Sequence, residues 1–508
     1  MKSLNQQIKE KPWLGWTLFL ASVVVVFLLG LLASSIVERR AEAAFVNVPQ
    51  KEISQFDPRN IVWGQNFPRE YQSYLKTSDT SFRSKYNGSA TIDMLEADPR
   101  LVVLWAGYGF SKDYNQSRGH YYSVTDVWKS LRTGAPVDGE KSPMPNTCWT
   151  CKSPDVPRLM NQYIEEKGDR QAGIAEFYKG SWEQKGPEIM NAIGCGDCHD
   201  AKTMNLKISR PALIEAFERN GKDIAKASHQ EMRSLVCAQC HVEYYFNKHT
   251  VEGSPYLTFP WDNGMSAEEM EAYYDEMEFK DWTHGLSKAP MLKAQHPGYE
   301  IYLTGVHASR GVSCADCHMP YISEGGQKFT SHHVVSPLKN VSNTCQVCHR
   351  EETDQLLRDV YERQDKIIEN RDQLEKLLVR AHNEAKVAWE SGATEEVMKD
   401  ILMDIRHAQW RWDYAAASHG ASFHSPVETG RVIASGIVIA QEARLKLSRL
   451  LVSLGHPNEI PYPDISTKDK AQTFVGLDVD KLKAEKQKFL SEVVPEWKKI
   501  AEEREQKY

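Results

Sequence analysis

The chain has 508 residues, 41% of them hydrophobic and 26% charged, and 62 basic against 69 acidic side chains leave a formal charge of −7. At about 150 residues per domain, this length allows roughly three domains or fewer large ones and excludes collagenous, disordered and polytopic membrane classes. The negative balance argues against a nucleic-acid partner, and all ten cysteines fall into five Cys-x-x-Cys pairs.

Lys2, Lys9 and Lys11 precede an apolar run from Leu14 to Val37. Two readings stand: a cleavable export signal with Ala41-Glu42-Ala43 as its small-residue site, or an uncleaved anchor, since more than 20 apolar residues can span a bilayer as a helix. The lysines stay on the cytoplasmic side in both, and residues 44–508 are exported, which implies the periplasm. Removing residues 1–43 takes away five basic and three acidic side chains and brings the charge to near −9. Residues 44–145 read as loops and short helices, and Leu101–Ala106 reads as a helix or a buried strand. Residues 146–350 hold all the cysteine pairs, separated by Pro and Gly breaks. After residue 351, Leu356, Leu357, Val360, Ile367, Ile368, Leu374, Leu377 and Leu378 recur at helical spacing. Ser391–Thr394 predicts a break and a new N-cap, with Glu395 and Glu396 in the first turn that follows. A further helix is expected from Pro426 to about Leu454, and a charged one over Lys481–Lys507. Long alternating segments are absent, so the fold class is mainly α. The expected division is 1–43 signal or anchor, 44–350 catalytic region and 351–508 long helices.

The pairs are Cys148/Cys151, Cys195/Cys198, Cys237/Cys240, Cys314/Cys317 and Cys345/Cys348, followed by Lys152, His199, His241, His318 and His349. Cys-x-x-Cys-His is the attachment motif of haem c: the thiols bind the porphyrin edge and the next residue ligates the iron from one side. Structural zinc calls for pairs spaced about 15–20 residues apart, whereas the gaps here are 44, 39, 74 and 28 residues. Disulfides suit an exported chain, but neighbouring Cys-x-x-Cys bridges belong to redox motifs. Five haem c groups are expected. Lys152 is the departure, since a neutral amine can ligate iron in place of imidazole; a degenerate, empty motif is the alternative. Four haems closed by histidine on both faces are suited to electron transfer. The odd one can keep a face open for substrate, which is the layout of a multi-electron reductase.

These residues resemble a known family, the pentahaem, ammonia-forming cytochrome c nitrite reductases. The likeness runs from Ala106-Gly-Tyr to the tail. It is carried by Arg118-Gly-His-Tyr-Tyr122, Leu131-Arg-Thr-Gly-Ala-Pro136, Cys148-Trp-Thr-Cys-Lys-Ser-Pro-Asp155, Cys237-Ala-Gln-Cys-His-Val-Glu-Tyr-Tyr245, Pro290-Met-Leu-Lys-Ala-Gln-His296, Cys314-Ala-Asp-Cys-His-Met-Pro320 and Ile405-Arg-His-Ala-Gln-Trp410. The resemblance implies a compact five-haem core with long C-terminal helices and a catalytic haem ligated by Lys152. It implies an open face lined by Arg132, Tyr244 and His296, and reduction of nitrite to ammonium, with hydroxylamine, nitric oxide and sulfite as further substrates. A fixed guanidinium suits an anion entering an acidic protein, and Tyr and His suit proton delivery. The resemblance also implies one Ca²⁺ held by Glu243, the Tyr244 and Lys293 carbonyls and the Gln295 side chain, an oxygen set that suits calcium.

The distal ligands implied are His120 for the haem of Cys237/Cys240, His307 for that of Cys345/Cys348 and His424 for that of Cys314/Cys317. For Cys195/Cys198 the ligand lies in Thr330-Ser-His-His-Val334, a segment that departs from the family's usual Asp-His-Lys. Spacing to Pro337 and from His318 favours His332 over His333. The implied donor is a membrane quinol-oxidising multihaem cytochrome or a small soluble one. The long helices after residue 351 are expected to form a homodimer, although their apolar stripe fits an intrachain core equally well.

Overall fold

The computed structural model describes residues 4–43, 51–137, 139–252 and 254–507. Lys2 of the export reading lies outside them. By internal contacts the chain divides into residues 1–52 with 323–328, and residues 53–322 with 329–508. Helix α1 (Pro12–Ala43) belongs to the first part. Its stretch Pro12–Val37, 26 residues, is long and apolar enough to cross a membrane by length and composition.

The second part is mainly helical. Leu101–Leu104, readable as strand or helix, lies in the short helix α2 (Arg100–Leu104), with all four side chains buried. Three long helices follow the last cysteine pair: α3 (Thr353–Glu390), α4 (Glu395–Ala417) and α5 (Pro426–Ser453). Thr394 caps α4, its side chain accepting from the Val397 N–H at 3.5 Å. Within the expected stripe, Ile367, Leu374 and Leu378 of α3 pack into one core with Ile405 of α4 and Ile433 of α5. Each such side chain contributes about 2 kcal/mol when fully buried. Gly436 permits the crossing, since a Cβ there would stand 2.7 Å from Leu374 Cδ2 and 3.2 Å from Arg411 Cβ. On α5, Val427, Val438, Leu445 and Val452 stay exposed, the last three seven residues apart and so along one face. A final helix, α6 (Val479–Glu505), packs through Phe489 and Trp497 onto Trp182.

Strands are short. Strand β1 (Tyr245–Val251) pairs antiparallel with β2 (Ser254–Thr258), which fixes the backbone immediately after Tyr244. Strand β3 (Trp282–Thr283) pairs with β4 (Pro290–Met291), five residues short of His296. The β3–β4 loop is pinned to the long helices by a fully buried histidine stack. His284 lies 3.6 Å from His382 of α3, ring centre to ring centre. His284 Nε2 bonds the Val103 carbonyl at 2.8 Å, and its Nδ1 accepts from the Leu286 and Ser287 N–H groups. His382 bonds Ser287 Oγ at 2.8 Å and Gln409 Oε1 at 2.6 Å.

Burial pulls His382 down to about 4. An unfolded chain binds a proton there near pH 6.5. The unfolded state therefore gains protons first as pH falls, and stability is lost between about pH 6.5 and pH 4 by on the order of 3 kcal/mol from this residue. Thermal unfolding across that range should show a shallower slope in His382→Asn than in the wild type; equal slopes would refute the assignment.

Candidate active site

Arg132 sits on a tight helical turn, Leu131–Thr133, which starts at Ser130 and ends at Gly134. Ser130 Oγ accepts from the Arg132 backbone N–H at 3.3 Å and from its Nε–H at 3.2 Å. Asp113 accepts from the Leu131 N–H at 3.0 Å. Gly134 has φ +68°, which a side chain would resist. The guanidinium lies over the Phe110 ring at 4.1 Å and reaches Tyr114 at 5.9 Å. Among the described residues no carboxylate stands within ion-pair distance of it. A planar cation held on aromatic faces without a counter-ion is a receptor for a small anion.

The Lys152 motif closes a helical turn, Asn146–Cys151. Trp149 inside it is fully buried, stacks on Trp182 at 4.7 Å and donates its indole N–H to the Trp182 carbonyl at 3.0 Å. The Lys152 carbonyl accepts from Ser123 Oγ at 2.8 Å, while its amine has no partner among the described residues. Three separate segments converge here. Arg132 and Lys152 both act electrostatically on the Cys148 thiol. Cys151 and Cys148 are the strongest charged neighbours of Tyr244, and Lys152 is one of those of His296. Burial holds the Tyr244 phenol well above its usual range, so it keeps its proton. Burial together with His419 and His241 holds His296 well below its usual range, so its imidazole is neutral. His419, readable in the sequence only as a packing or supporting group, stands 6.1 Å from His296, ring centre to ring centre.

The residues expected to hold calcium also come together. Glu243 is fully buried; its carboxylate accepts from the Gln295 N–H at 2.6 Å and from the Tyr274 hydroxyl at 3.1 Å. The Gln295 side-chain amide donates to the Lys293 carbonyl at 3.2 Å. Glu300 bonds the Glu243 N–H, and Asp281 the Lys293 N–H, each at 2.8 Å. Burial pushes Glu243 well above the carboxylate range, helped by Glu300 and Asp281, which are themselves raised to about 7. The only opposing charge among the main influences on Glu243 is Lys293. Such an excess of buried carboxylate fits a divalent cation with oxygen ligands. Lys293 is held by Asp413 of α4 at 2.8 Å, a pair buried on both sides.

The histidines offer a test of whether the chain fits haem. His199 and His332 lie 6.1 Å apart, His318 and His424 6.2 Å, and His307 and His349 6.3 Å, ring centre to ring centre. A metal–nitrogen bond of about 2 Å on each side, with roughly 1 Å more to each ring centre, predicts a spacing of roughly 6 Å. Spacing alone does not single out ligands, since His296 is 6.2 Å from His241. Each of these three pairs, however, joins a motif histidine to the partner expected for it. His120 is the strongest charged neighbour of His241, which burial takes to about 3. His333 instead lines a cavity of about 200 Å³ with Cys317 and His318. His424 Nδ1 is buried without a hydrogen-bond partner among the described residues.

No disulfide joins any of the ten cysteines, and nine of them are partly buried. Cys348 is the exception. Its side chain is exposed, as are Val347 before it and His349 after it. The reason is local. The motif closes the short turn Cys345–Val347 and runs out within a few residues into the start of α3 at Thr353, so its last residues are packed from one side only. The inner motifs are neighbours: the Cys151 and Cys240 thiols influence each other, as do those of Cys237 and Cys314. The donor set, five Cys-x-x-Cys pairs each followed by a lysine or histidine, fits five covalently attached haems.

Phe110, Tyr114, Asp113 and Asp413 were not legible as site residues. No motif marks them, and only the fold brings them to Arg132 and Lys293.

A family model described as cytochrome c552 matches residues 60–507. The chain is 56% identical over 499 residues to a cytochrome c-552 of Porphyromonas gingivalis, covering 98% of each protein. It is 55% identical over 496 residues to one of Parabacteroides distasonis, covering 97% of this chain and 98% of that one. Among solved structures it resembles the cytochrome c nitrite reductase of Desulfovibrio desulfuricans, whose catalytic subunit has two calcium sites. The TM-score is 0.72 and the identity 30%, over 85% of this chain and 91% of the other. With its five attachment motifs and mainly helical fold, the chain belongs to the cytochrome c552 family.

Proposed function

We propose that this protein is a periplasmic nitrite reductase that carries out the six-electron reduction of nitrite to ammonium at the Lys152 site. The observation that carries this reading is the gathering of an uncompensated guanidinium, a protonated phenol and a neutral imidazole at the one attachment motif that ends in lysine instead of histidine. The likeness to a solved cytochrome c nitrite reductase supports it. Lys152 and the paired histidines would hold the haems, which would supply the electrons and the metal centre.

Arg132 attracts nitrite into an acidic protein and fixes its orientation by charge-assisted hydrogen bonds. Tyr244 holds a proton on its phenol oxygen, close to the anion. His296 presents one N–H and one lone pair, so it can donate to an oxygen and be reprotonated. Glu243, the carbonyls of Tyr244 and Lys293, and Gln295 would hold Ca²⁺. Because Tyr244 and Gln295 flank the site, these ligands would tie together the segments carrying Tyr244 and His296 once the ion is bound. The same site would accept hydroxylamine, nitric oxide or sulfite. Helix α1 serves as export signal or membrane anchor. The electron donor is a membrane quinol-oxidising multihaem cytochrome or a small soluble one.

The test is a haem count with spin-state spectroscopy on the purified protein before and after nitrite, followed by turnover with reduced viologen. Five haems, one of them high-spin and altered by nitrite, are expected. Entirely low-spin haem unaffected by nitrite would mark a pure electron carrier, and faster turnover of sulfite would overturn the substrate.

A homodimer is proposed through α5. The stripe of α3 is used inside the chain, which leaves Val438, Leu445 and Val452 facing outward. Leu445→Asp should convert a dimer into a monomer by sedimentation while leaving the haem content intact; an unchanged mass would exclude that face.

A further inference from the structure

Helix α6 lies far in sequence from the Arg132 turn, yet one of its side chains ends beneath it. Lys486 is 4% exposed, an unusual position for lysine in so charged a helix. Its amine donates to the Trp128 carbonyl at 3.2 Å, to Thr133 Oγ1 at 3.0 Å and to the Gly134 carbonyl. An ammonium has three donors, and all three are used on this one turn. Trp128 precedes the turn and Gly134 closes it, so the amine joins its two ends. Thr133 Oγ1 in turn bonds the carbonyls of Val127 and Ser130. Burial pulls the Lys486 amine down to about 7, and the charge that opposes this is Asp113, the residue that also caps the Leu131 N–H.

We propose that Lys486 is a positioning residue for the anion site, stapling the Leu131–Thr133 turn from below so that Arg132 keeps its place over Phe110. Alternatives to this role are poor. Lys486 has no ion-pair partner among the described residues, so it does not serve as a surface salt bridge. Its amine lies 4.9 Å from the centre of the Phe489 ring, but packing alone would be met by an apolar side chain without the cost of burying an amine. Three aligned acceptors are what make the buried amine tolerable, and all three belong to the segment that presents Arg132. A small displacement of a positioning group can cost on the order of a hundredfold in rate, and losing one of several supports costs less.

The inference rests on Arg132 being part of the nitrite site, and the test separates the two. Nitrite affinity is measured by spectral titration of the oxidised holoprotein, with haem count and thermal midpoint recorded, for wild type, Lys486→Met, Arg132→Ala and the double variant. Lys486→Met should weaken nitrite binding about tenfold with five haems still attached, and should have no further effect once Arg132 is alanine. A purely structural lysine would lower the midpoint and weaken binding equally in both backgrounds, or leave affinity unchanged; either result overturns the proposal. If Lys486→Met yields no holoprotein, Lys486→Gln, which keeps two donors, is put through the same cycle and judged by the same two criteria. If Arg132→Ala alone leaves nitrite affinity untouched, the assignment of the anion site fails and the staple fails with it.

Discussion

Arg132→Ala should lower kcat/KM for nitrite by roughly a hundredfold to a thousandfold, the range seen when one donor to a developing negative charge is removed. The loss should leave five haems attached, because the Arg132 guanidinium lies on the Phe110 ring and hydrogen-bonds Ser130, and among the described residues it makes no hydrogen bond to a cysteine or histidine. Arg132→Lys should recover only part of the activity, since a point charge cannot reproduce the planar, stacked fork. Steady-state kinetics with reduced viologen, beside a haem count, decides the matter. Full activity in the alanine variant would remove Arg132 from the site, and loss of haem would make it a structural residue.

The second large effect is on stability. Asp413→Ala should destabilise the holoprotein by about 3–5 kcal/mol, because it leaves the Lys293 ammonium buried without its counter-ion. Asp413 also accepts from the Ala294 N–H at 3.1 Å, so the segment leading to His296 is released at the same point. Replacing both partners, as Lys293→Met with Asp413→Leu, should recover most of the stability, since a packed apolar pair avoids the desolvation of two charges. The lysine's carbonyl, the atom proposed for calcium, is kept in that double variant. Denaturant unfolding midpoints of the three variants test this, and an Asp413→Ala protein as stable as the wild type would show that the pair carries no net stabilisation.

What the sequence made legible is what is local. Cys-x-x-Cys spacing names attachment sites without reference to the fold, and the apolar period of residues 356–378 names a helix face. Spacing could not say which pairs lie near one another: Cys151 and Cys240 belong to different motifs and yet are neighbours, because nothing in a motif records what the fold brings beside it. Nor could the apolar period say what covers its face. Ile367, Leu374 and Leu378 turn out to pack against α4 and α5, and the outward stripe is Val438, Leu445 and Val452 instead. The Leu101–Ala106 run was equally ambiguous, since a short apolar stretch buried on all sides carries no period. Lys293 was legible through its carbonyl, while its side chain depends on Asp413, 120 residues away. Lys486 read as one more charge on a solvated helix. Its burial is set by where α6 docks, and no periodicity encodes that.

Cys151 meets Cys240, and Cys237 meets Cys314, across motifs that lie far apart in the chain. An oxidising milieu would join such sulfurs to each other, since exchange between neighbouring thiols and disulfides is facile. A thioether, once made, does not take part in that exchange. Cofactor loading would remove these thiols from that exchange, so protein made in cells short of haem should carry cross-links between motifs that a non-reducing gel detects.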